Sequence, residues 1–262
     1  MKGAVAAMLH AFREAEPAGE LVFASFVGEE VGGEGARHAI DTGFAPEYAV
    51  VAEGSTGYSA PGVTDVAVAH KGRRASTVTA RGESAHASEV DSGVNAIYRA
   101  CDAVDVLRGL SFPTVEVLGN QVEGSLAVTE IDGGSAWNVV PESCTVTVDE
   151  RTVPGERAAI ESVESVEGVT VAVEQDLPPM ACEDPDFADA VLAAADAAQD
   201  GSPEQVVKPH ATDAGWLAEA GTTCIICGPA ELGEAHTKDE SVDLATLERC
   251  RAIYEAVAGS AW

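Results

Sequence analysis

Residues 21–33 read Leu-Val-Phe-Ala-Ser-Phe-Val-Gly-Glu-Glu-Val-Gly-Gly, an apolar run that ends in two adjacent carboxylates and a glycine turn. This pattern predicts a buried parallel strand with a charged site at its carboxyl end, where open α/β sheets place their chemistry. Neighbouring side chains of a strand point to opposite faces. One of Glu29 and Glu30 can therefore bind a metal while the other faces a substrate water, but only if the turn directs both side chains toward the same cleft.

The flanking sequence repeats this arrangement. Residues 2–14 and 34–42 predict helices, and residues 47–52 predict a second strand. That strand runs into Glu53, so it also carries a carboxylate at its carboxyl end. Alternation of this kind favours an α/β fold, with a parallel or mixed sheet flanked by helices.

The pattern changes near residue 64. Within residues 65–177 we predict mostly antiparallel strands at 66–79, 114–119, 124–131, 143–151 and 168–175, and helices at 93–109 and 155–164. Helices at 184–198 and 243–258 and a strand at 222–227 then return to the first pattern. We therefore predict a discontinuous catalytic-type domain over 1–64 and 178–262, interrupted by an inserted α+β domain over 65–177.

Acidic residues dominate the charge of the chain. Its 262 residues include 44 acids and 15 bases, which gives a formal net charge of −29. Such a charge repels nucleic acid and anionic membranes, so neither is an expected partner. The acids are spread along a chain that is 46% hydrophobic, which argues against disorder. We interpret the charge as adaptation to a salty cytoplasm, and an ordinary acidic protein is the alternative.

Six cysteines occur, and two of them, Cys224 and Cys227, lie in an apolar stretch that predicts a buried strand. Positions i and i+3 of a strand face opposite ways, so core thiols are favoured over a redox or zinc pair. This usage suits a reducing cytoplasm. No stretch reaches the roughly 18 apolar residues of a membrane span, and residues 1–12 do not have the pattern of a signal peptide.

Two histidines lie in polar motifs. His86 is in Gly-Glu-Ser-Ala-His-Ala-Ser (82–88), and His236 is in Gly-Glu-Ala-His-Thr-Lys-Asp-Glu (233–240). Taken singly, each reads as a surface histidine. Taken in order, the motifs resemble the di-zinc metallohydrolases that include acetylornithine deacetylase, succinyl-diaminopimelate desuccinylase, aminoacylase and glutamate carboxypeptidase. The matching segments are 1–3, 29–33, 53–56, 82–97, 138–151, 212–214 and 228–240.

The resemblance implies a role for each matching residue. Glu29 is expected to be the general base, and Glu30 and His236 are expected to bind one zinc ion. Glu53 is expected to bind a second zinc, at a position that the family fills with aspartate or glutamate. His86 is expected to reach across a homodimer and to stabilise the oxyanion in the partner's active site.

The inserted domain is implied to be a ferredoxin-like lid that also forms the homodimer. On it, Asn138 and Arg151 resemble the pair that grips the substrate, and a planar guanidinium suits a carboxylate. Thr212 and Gly228 are expected to line the substrate pocket. The implied substrate is a small N-acyl amino acid.

The resemblance also implies two metal ligands upstream of Met1. One is a histidine in a His-x-Asp motif, and the other is an aspartate immediately before the Met-Lys-Gly of residues 1–3. We expect Met1 to be an internal methionine of a longer enzyme in which these roles hold. If the start is genuine, we expect little or no hydrolase activity.

The expected function is removal of an acyl group from an N-acyl amino acid by attack of a zinc-bound water. Cobalt or manganese also suits such ligands. A carboxypeptidase or dipeptidase of the same family is a close alternative. An alternative from another class is a non-catalytic remnant that acts as a dimeric binding protein.

Removal of salt is expected to unfold the protein. At molar salt the Debye length falls to about 3 Å, which screens the repulsion among acidic side chains. Far-ultraviolet circular dichroism during dialysis from molar to about 0.1 M KCl measures the change. A folded signal that persists at low salt would remove the interpretation as a halophilic protein.

Overall fold

The computed structural model describes residues 1–17 and 19–260. Its helices are α1 (Lys2–Glu14), α2 (Glu34–Asp41), α3 (Ala96–Arg108), α4 (Pro185–Ala197), α5 (Asp213–Glu219) and α6 (Leu244–Ala258), with 3₁₀ turns over Glu29–Val31, Val90–Ser92 and Ile160–Ser165. The strands are β1 (Tyr48–Val51), β2 (Val66–His70), β3 (Gly72–Arg81), β4 (Ala85–His86), β5 (Thr114–Val117), β6 (Asn120–Glu123), β7 (Ser125–Gly133), β8 (Val139–Val140), β9 (Ser143–Thr152), β10 (Val169–Leu177), β11 (Met180–Ala181), β12 (Gln205–Lys208) and β13 (Thr223–Ile226). Residue 18 and the last two residues of the predicted catalytic-type domain lie outside the described residues.

The chain divides into two compact units. Unit 1 comprises residues 1–71, 116–122 and 178 to the carboxyl end, and unit 2 comprises 72–115 and 123–177. The single strand predicted over 66–79 is wrong, because β2 and β3 belong to different sheets. β2 is buried throughout and β3 is largely buried on one face, so their apolar residues join into one pattern.

The sheet of unit 1 is mixed. β1 and β13 are parallel, β2 runs antiparallel to β13 and parallel to β12, and the short β11 runs antiparallel to β2. Cys224 and Cys227 are fully buried as free thiols, as the apolar pattern predicts. The predicted α/β architecture, with a mixed sheet and flanking helices, is therefore confirmed.

The apolar run over 21–27 does not form a strand, so this prediction is wrong. Phe23 and Phe26 are half-buried and contact Phe12 and Phe44, with ring centroids 6.0 and 5.7 Å apart. On the opposite side, Val27 is 75% exposed. An apolar pattern alone does not make a strand, because a strand also needs a neighbouring chain for its backbone hydrogen bonds.

Unit 2 is built on an antiparallel sheet in the order β10-β3-β9-β7. One face of this sheet packs on α3 and on the turn over Ile160–Ser165. The side chain of Asn95 caps α3 by accepting a hydrogen bond from the Ile97 N–H at 2.9 Å. The helix predicted over 155–164 is wrong, because only a 3₁₀ turn forms in this region.

A further strand pair in unit 2 carries a predicted site residue. β4, which ends at His86, pairs antiparallel with β8.

None of the helices within the described residues is long and apolar enough to cross a membrane.

Candidate active site

The 3₁₀ turn over Glu29–Val31 is shaped by glycines with positive φ. Gly28 and Gly32 flank the turn at φ 74° and 100°, and Gly33 follows at φ 72°. A Cβ atom on Gly33 would lie 2.5 Å from Trp216 Nε1 and 2.7 Å from Asp213 Oδ1. Glycine therefore allows α5 to approach the turn, and this brings Asp213 toward the turn that carries Glu29.

Glu53 follows β1 and is positioned by the backbone of Gly228. A Cβ atom on Gly228 would lie 2.4 Å from the carbonyl oxygen of Glu53, so any larger residue would push the two loops apart. The Gly228 N–H donates to Ser55 Oγ at 3.0 Å, and Thr56 Oγ1 donates to the Gly228 carbonyl at 3.1 Å. The predicted pocket residue Gly228 thus holds the loop that carries Glu53.

Asp65 supports the next part of this loop. It is fully buried, and its carboxylate accepts hydrogen bonds from the N–H groups of Tyr58, Ser59 and Glu204 at 2.9 to 3.1 Å and from Ser59 Oγ at 2.6 Å. Charge-assisted bonds of this kind are stronger than neutral ones. They fix Tyr58, whose ring lies beside the ammonium of Lys208.

Lys208, at the end of β12, is the positive group of the site. Its Nζ donates to the Gly54 carbonyl at 2.8 Å and lies 5.9 Å from the Tyr58 ring centroid. Burial lowers the pKa of Lys208, whereas the nearby carboxylates of Glu53 and Glu29 act in the opposite direction.

Burial and the charges of neighbouring carboxylates set the electrostatics of the site. Burial, followed by the charges of Glu53, Glu30 and Asp213, raises the pKa of Glu29 to about 7, against the opposing effect of Lys208. Burial and the charge of Glu53 likewise raise the pKa of Asp213 to about 6. These carboxyl groups share one electrostatic environment, although they come from separate loops.

The structure brings the predicted ligands Glu30 and His236 together. His236 Nε2 lies 3.5 Å from Glu30 Oε1, and the two side chains are 75% and 73% exposed. A carboxylate oxygen and an imidazole nitrogen are suitable zinc donors. Over residues 1–17 and 19–260, however, no three or more His, Cys, Asp and Glu side chains are grouped to hold a metal ion. Glu53 is thus not assembled with this pair, and the described residues do not complete a zinc centre by themselves.

The other predicted site residues have identifiable local contacts. Thr212, which is 6% exposed, caps α5 by accepting a hydrogen bond from the Ala214 N–H at 3.2 Å. In unit 2, His86 is exposed and its Nδ1 lies 2.7 Å from Ser88 Oγ. The carbonyl oxygen of Asn138 accepts a hydrogen bond from the Ala87 N–H at 2.9 Å, so Asn138 and His86 lie close together.

Arg151 is already engaged by a carboxylate of its own strand. Its Nε donates to Asp149 Oδ1 at 2.7 Å, and its Nη2 donates to Asp149 Oδ2 at 3.3 Å. Arg73 donates to the same carboxylate through Nε at 2.7 Å. Asp149 therefore orients Arg151 and partly neutralises it.

Sequence reasoning did not identify Lys208, Asp213 and Tyr58 as site residues. Asp213 lies inside the Thr-Asp-Ala match at 212–214, but only Thr212 was assigned a role. Lys208 follows the short apolar pair Val206-Val207, and β12 was not predicted. Its signal was its rarity, since lysine occurs only at positions 2, 71, 208 and 238.

Residues 1–260 match the sequence profile of Peptidase family M20/M25/M40. The chain belongs to this family of amide-bond hydrolases, as the order of its motifs indicates. It is similar to an acetylornithine deacetylase from Myxococcus xanthus, with 28% identity over 96% of this chain and 68% of the relative. It is also similar to an N-formyl-4-amino-5-aminomethyl-2-methylpyrimidine deformylase from Halalkalibacterium halodurans, with 26% identity over 94% of this chain and 66% of the relative.

Solved structures share the fold. Aminopeptidase PepT from Bacillus cereus superposes with a TM-score of 0.74 at 22% identity, covering 98% of this chain and 70% of that one. A tripeptidase from Staphylococcus aureus gives a TM-score of 0.69 at 19% identity, covering 88% and 61%. The chain thus spans about two thirds of the length of the relatives and structures that it matches.

Asp213→Asn is expected to make the fold less sensitive to pH. The pKa of Asp213 is raised from 3.8 to about 6, so the folded state holds this proton to a higher pH than the unfolded chain does. The free energy of unfolding therefore falls as pH rises through that window, and Asn removes this contribution. Thermal melts between about pH 4 and 8 should show a smaller decline for Asp213→Asn and a higher melting temperature above pH 6.

The matched control is Asp196→Asn, at an exposed position on α4. It should follow the unaltered protein at every pH. An Asp213→Asn profile that also follows the unaltered protein would contradict the electrostatic account.

Proposed function

We propose that this protein hydrolyses the amide bond of a small N-acyl amino acid, as a deacetylase or desuccinylase does. The observation that carries the proposal is that His236 Nε2 lies 3.5 Å from Glu30 Oε1, and Glu30 lies in the turn that also carries Glu29. These residues come from distant parts of the sequence and supply a carboxylate, an imidazole and a neighbouring base. The names of the deacetylase and deformylase relatives support the same reaction class.

Glu29 is our choice for the general base. It is less exposed than Glu30, whose side chain is 73% exposed and directed toward His236. A general base must lie beside the reacting water and keep its orientation. The glycines around the turn shape the backbone that carries Glu29.

Glu30 and His236 are our choice for the residues that hold one divalent ion, and Glu53 is our choice for a ligand of a second ion, with zinc as the first candidate and cobalt or manganese as others. When bound, such an ion polarises an amide carbonyl and lowers the pKa of a coordinated water. The resemblance implies a larger set of ligands that binds two zinc ions. The described residues do not form that set.

The remaining roles are proposed from unit 2. His86 stabilises the oxyanion, and Asn138 lies close to it to orient the substrate. Arg151 binds a substrate carboxylate through Nη1, because Asp149 already engages Nε and Nη2. In unit 1, Thr212 caps α5 and Gly228 holds the loop that carries Glu53, and we propose that both line the substrate pocket.

Glu29→Gln is expected to lower kcat by about 10²–10⁴-fold, because the amide cannot accept a proton from the attacking water. Hydrolysis of N-acetyl-ornithine, N-succinyl-diaminopimelate and dipeptides, measured in molar KCl with zinc, tests the change and separates deacylase from dipeptidase activity. Glu34→Gln, five residues further along at the start of α2, is the matched control and should keep full activity.

Unchanged turnover in Glu29→Gln would remove Glu29 as the base. If the unaltered protein hydrolyses none of these substrates, the dimeric binding protein becomes the better proposal.

We also infer a homodimer formed by unit 2. β7 is an edge strand that exposes Val128 (37%) and Ile131 (55%), and α3 exposes Tyr98 (66%). An exposed apolar edge of this kind is suited to pairing with another chain. The predicted role of His86 in a partner's active site depends on such an assembly.

Ile131→Lys is expected to convert the dimer to a monomer, because it places a charge on the edge strand that would be paired. Light scattering at molar KCl measures the mass. Val173→Lys, on the opposite edge strand β10, is the control and should remain dimeric. A monomeric unaltered protein would contradict the inference and the role of His86 across the dimer.

A further inference from the structure

Lys208 is a buried cation of unit 1. The residue is only 7% exposed, and its Nζ donates to the Gly54 carbonyl at 2.8 Å, directly after Glu53. The Tyr58 ring lies beside the same ammonium, with its centroid 5.9 Å from Nζ. Lysine is almost never buried without a compensating negative charge. The site chemistry proposed above gives no role to this cation.

The charges that face Lys208 come from several elements of unit 1. Glu53, after β1, and Glu29, in the 3₁₀ turn, both act on its ammonium. Asp213, at the start of α5, acts on Glu29, and Glu53 acts on Asp213. His70 is the register partner of Lys208 on β2, and burial together with Lys208 lowers its pKa to about 4. His70 is therefore neutral near pH 7 and adds no second positive charge.

We define Glu29, Glu53 and Asp213 as the carboxylate cluster. Among the described residues, Lys208 is the cation whose charge interacts with its members Glu53 and Glu29. A second observation indicates that the cluster lacks positive charge. Asp213 is 9% exposed, and its Oδ1 is buried without a hydrogen-bond partner among the described residues. A buried oxygen of this kind is costly unless a donor or a cation serves it.

We propose that Lys208 is the resident cation of the carboxylate cluster and competes with a divalent ion for the space beside Glu53. The hydrogen bond to the Gly54 carbonyl fixes the ammonium there, so an incoming ion meets a like charge that cannot move far away. Glu30 and His236 remain open to an ion, because both side chains are largely exposed. The inference deepens the proposed function, since it concerns Glu53 as a ligand of that site.

Lys208→Met is expected to bind Mn²⁺ about tenfold or more tightly than the unaltered protein, because a neutral side chain of similar length removes the like charge. Manganese is the probe because carboxylate oxygens suit it. Equilibrium dialysis in molar KCl, with free Mn²⁺ read by electron paramagnetic resonance, measures the affinity and the number of ions bound.

Lys208→Arg keeps the charge and is expected to bind Mn²⁺ as weakly as the unaltered protein. Lys71→Met is the matched control, because it removes a lysine one residue beyond β2 that is not part of the cluster. It should also leave Mn²⁺ binding unchanged. If Lys208 had a purely structural role, the Mn²⁺ affinity would not differ between the charged and the neutral variants.

Lys208→Gln provides a second neutral variant that can still donate to the Gly54 carbonyl. If both neutral variants unfold without metal, added Mn²⁺ is expected to restore folding, and failure to do so overturns the proposal. It is equally overturned if a folded neutral variant binds Mn²⁺ as weakly as the unaltered protein, or if Lys208→Arg binds as tightly as Lys208→Met.

These measurements contain no substrate. Absence of amide hydrolysis would remove the proposed function but leave the Mn²⁺ result intact. Unchanged Mn²⁺ affinity in the neutral variants would remove the role of Lys208 but leave the hydrolase proposal standing.

Discussion

Repulsion among carboxylates held close together is the constraint on which the rest of the site depends. Glu29, Glu53 and Asp213 come from a turn, a strand end and a helix start. Beyond the larger effect of burial, the charge of Glu53 raises the pKa of both Glu29 and Asp213, and the charge of Asp213 raises the pKa of Glu29. Like charges at such distances disfavour ionisation, and partial burial strengthens the effect because water screens them less. The ammonium of Lys208 offsets part of this repulsion, because it lowers the pKa of Glu29. A scaffold that only had to be stable would not assemble these groups.

The backbone keeps the carboxylates in place. Gly33 and Gly228 act by having no side chain, since a Cβ atom at either position would overlap a neighbouring loop or helix. Asp65 acts in the opposite way, through a buried carboxylate whose four hydrogen bonds hold the loop that presents Tyr58. These contacts position the buried part of the site, whereas His236 lies exposed beside Glu30.

Much of the site could be predicted because strand ends are marked in the sequence. An apolar run that stops at a carboxylate identified Glu53, and the motif order identified Glu30 and His236, which the structure brings together. The run over 21–27 failed as a strand because hydrogen-bond partners are a property of the whole fold. Lys208 was missed because β12 has only two apolar residues at its centre, Val206 and Val207. Its importance comes from carboxylates that are distant in sequence, and no local pattern records them.

The apolar run over 21–27 also affects how the protein behaves in concentrated solution. It contains no charge, and it presents Val22 and Val27 to solvent at 55% and 75% exposure. Uncharged segments rich in β-formers readily associate with copies of themselves. A net charge of −29 keeps such copies apart through long-range repulsion. Screening ions weaken that barrier between molecules while they relieve repulsion within each one, so folding and colloidal dispersion respond to ionic strength in opposite directions.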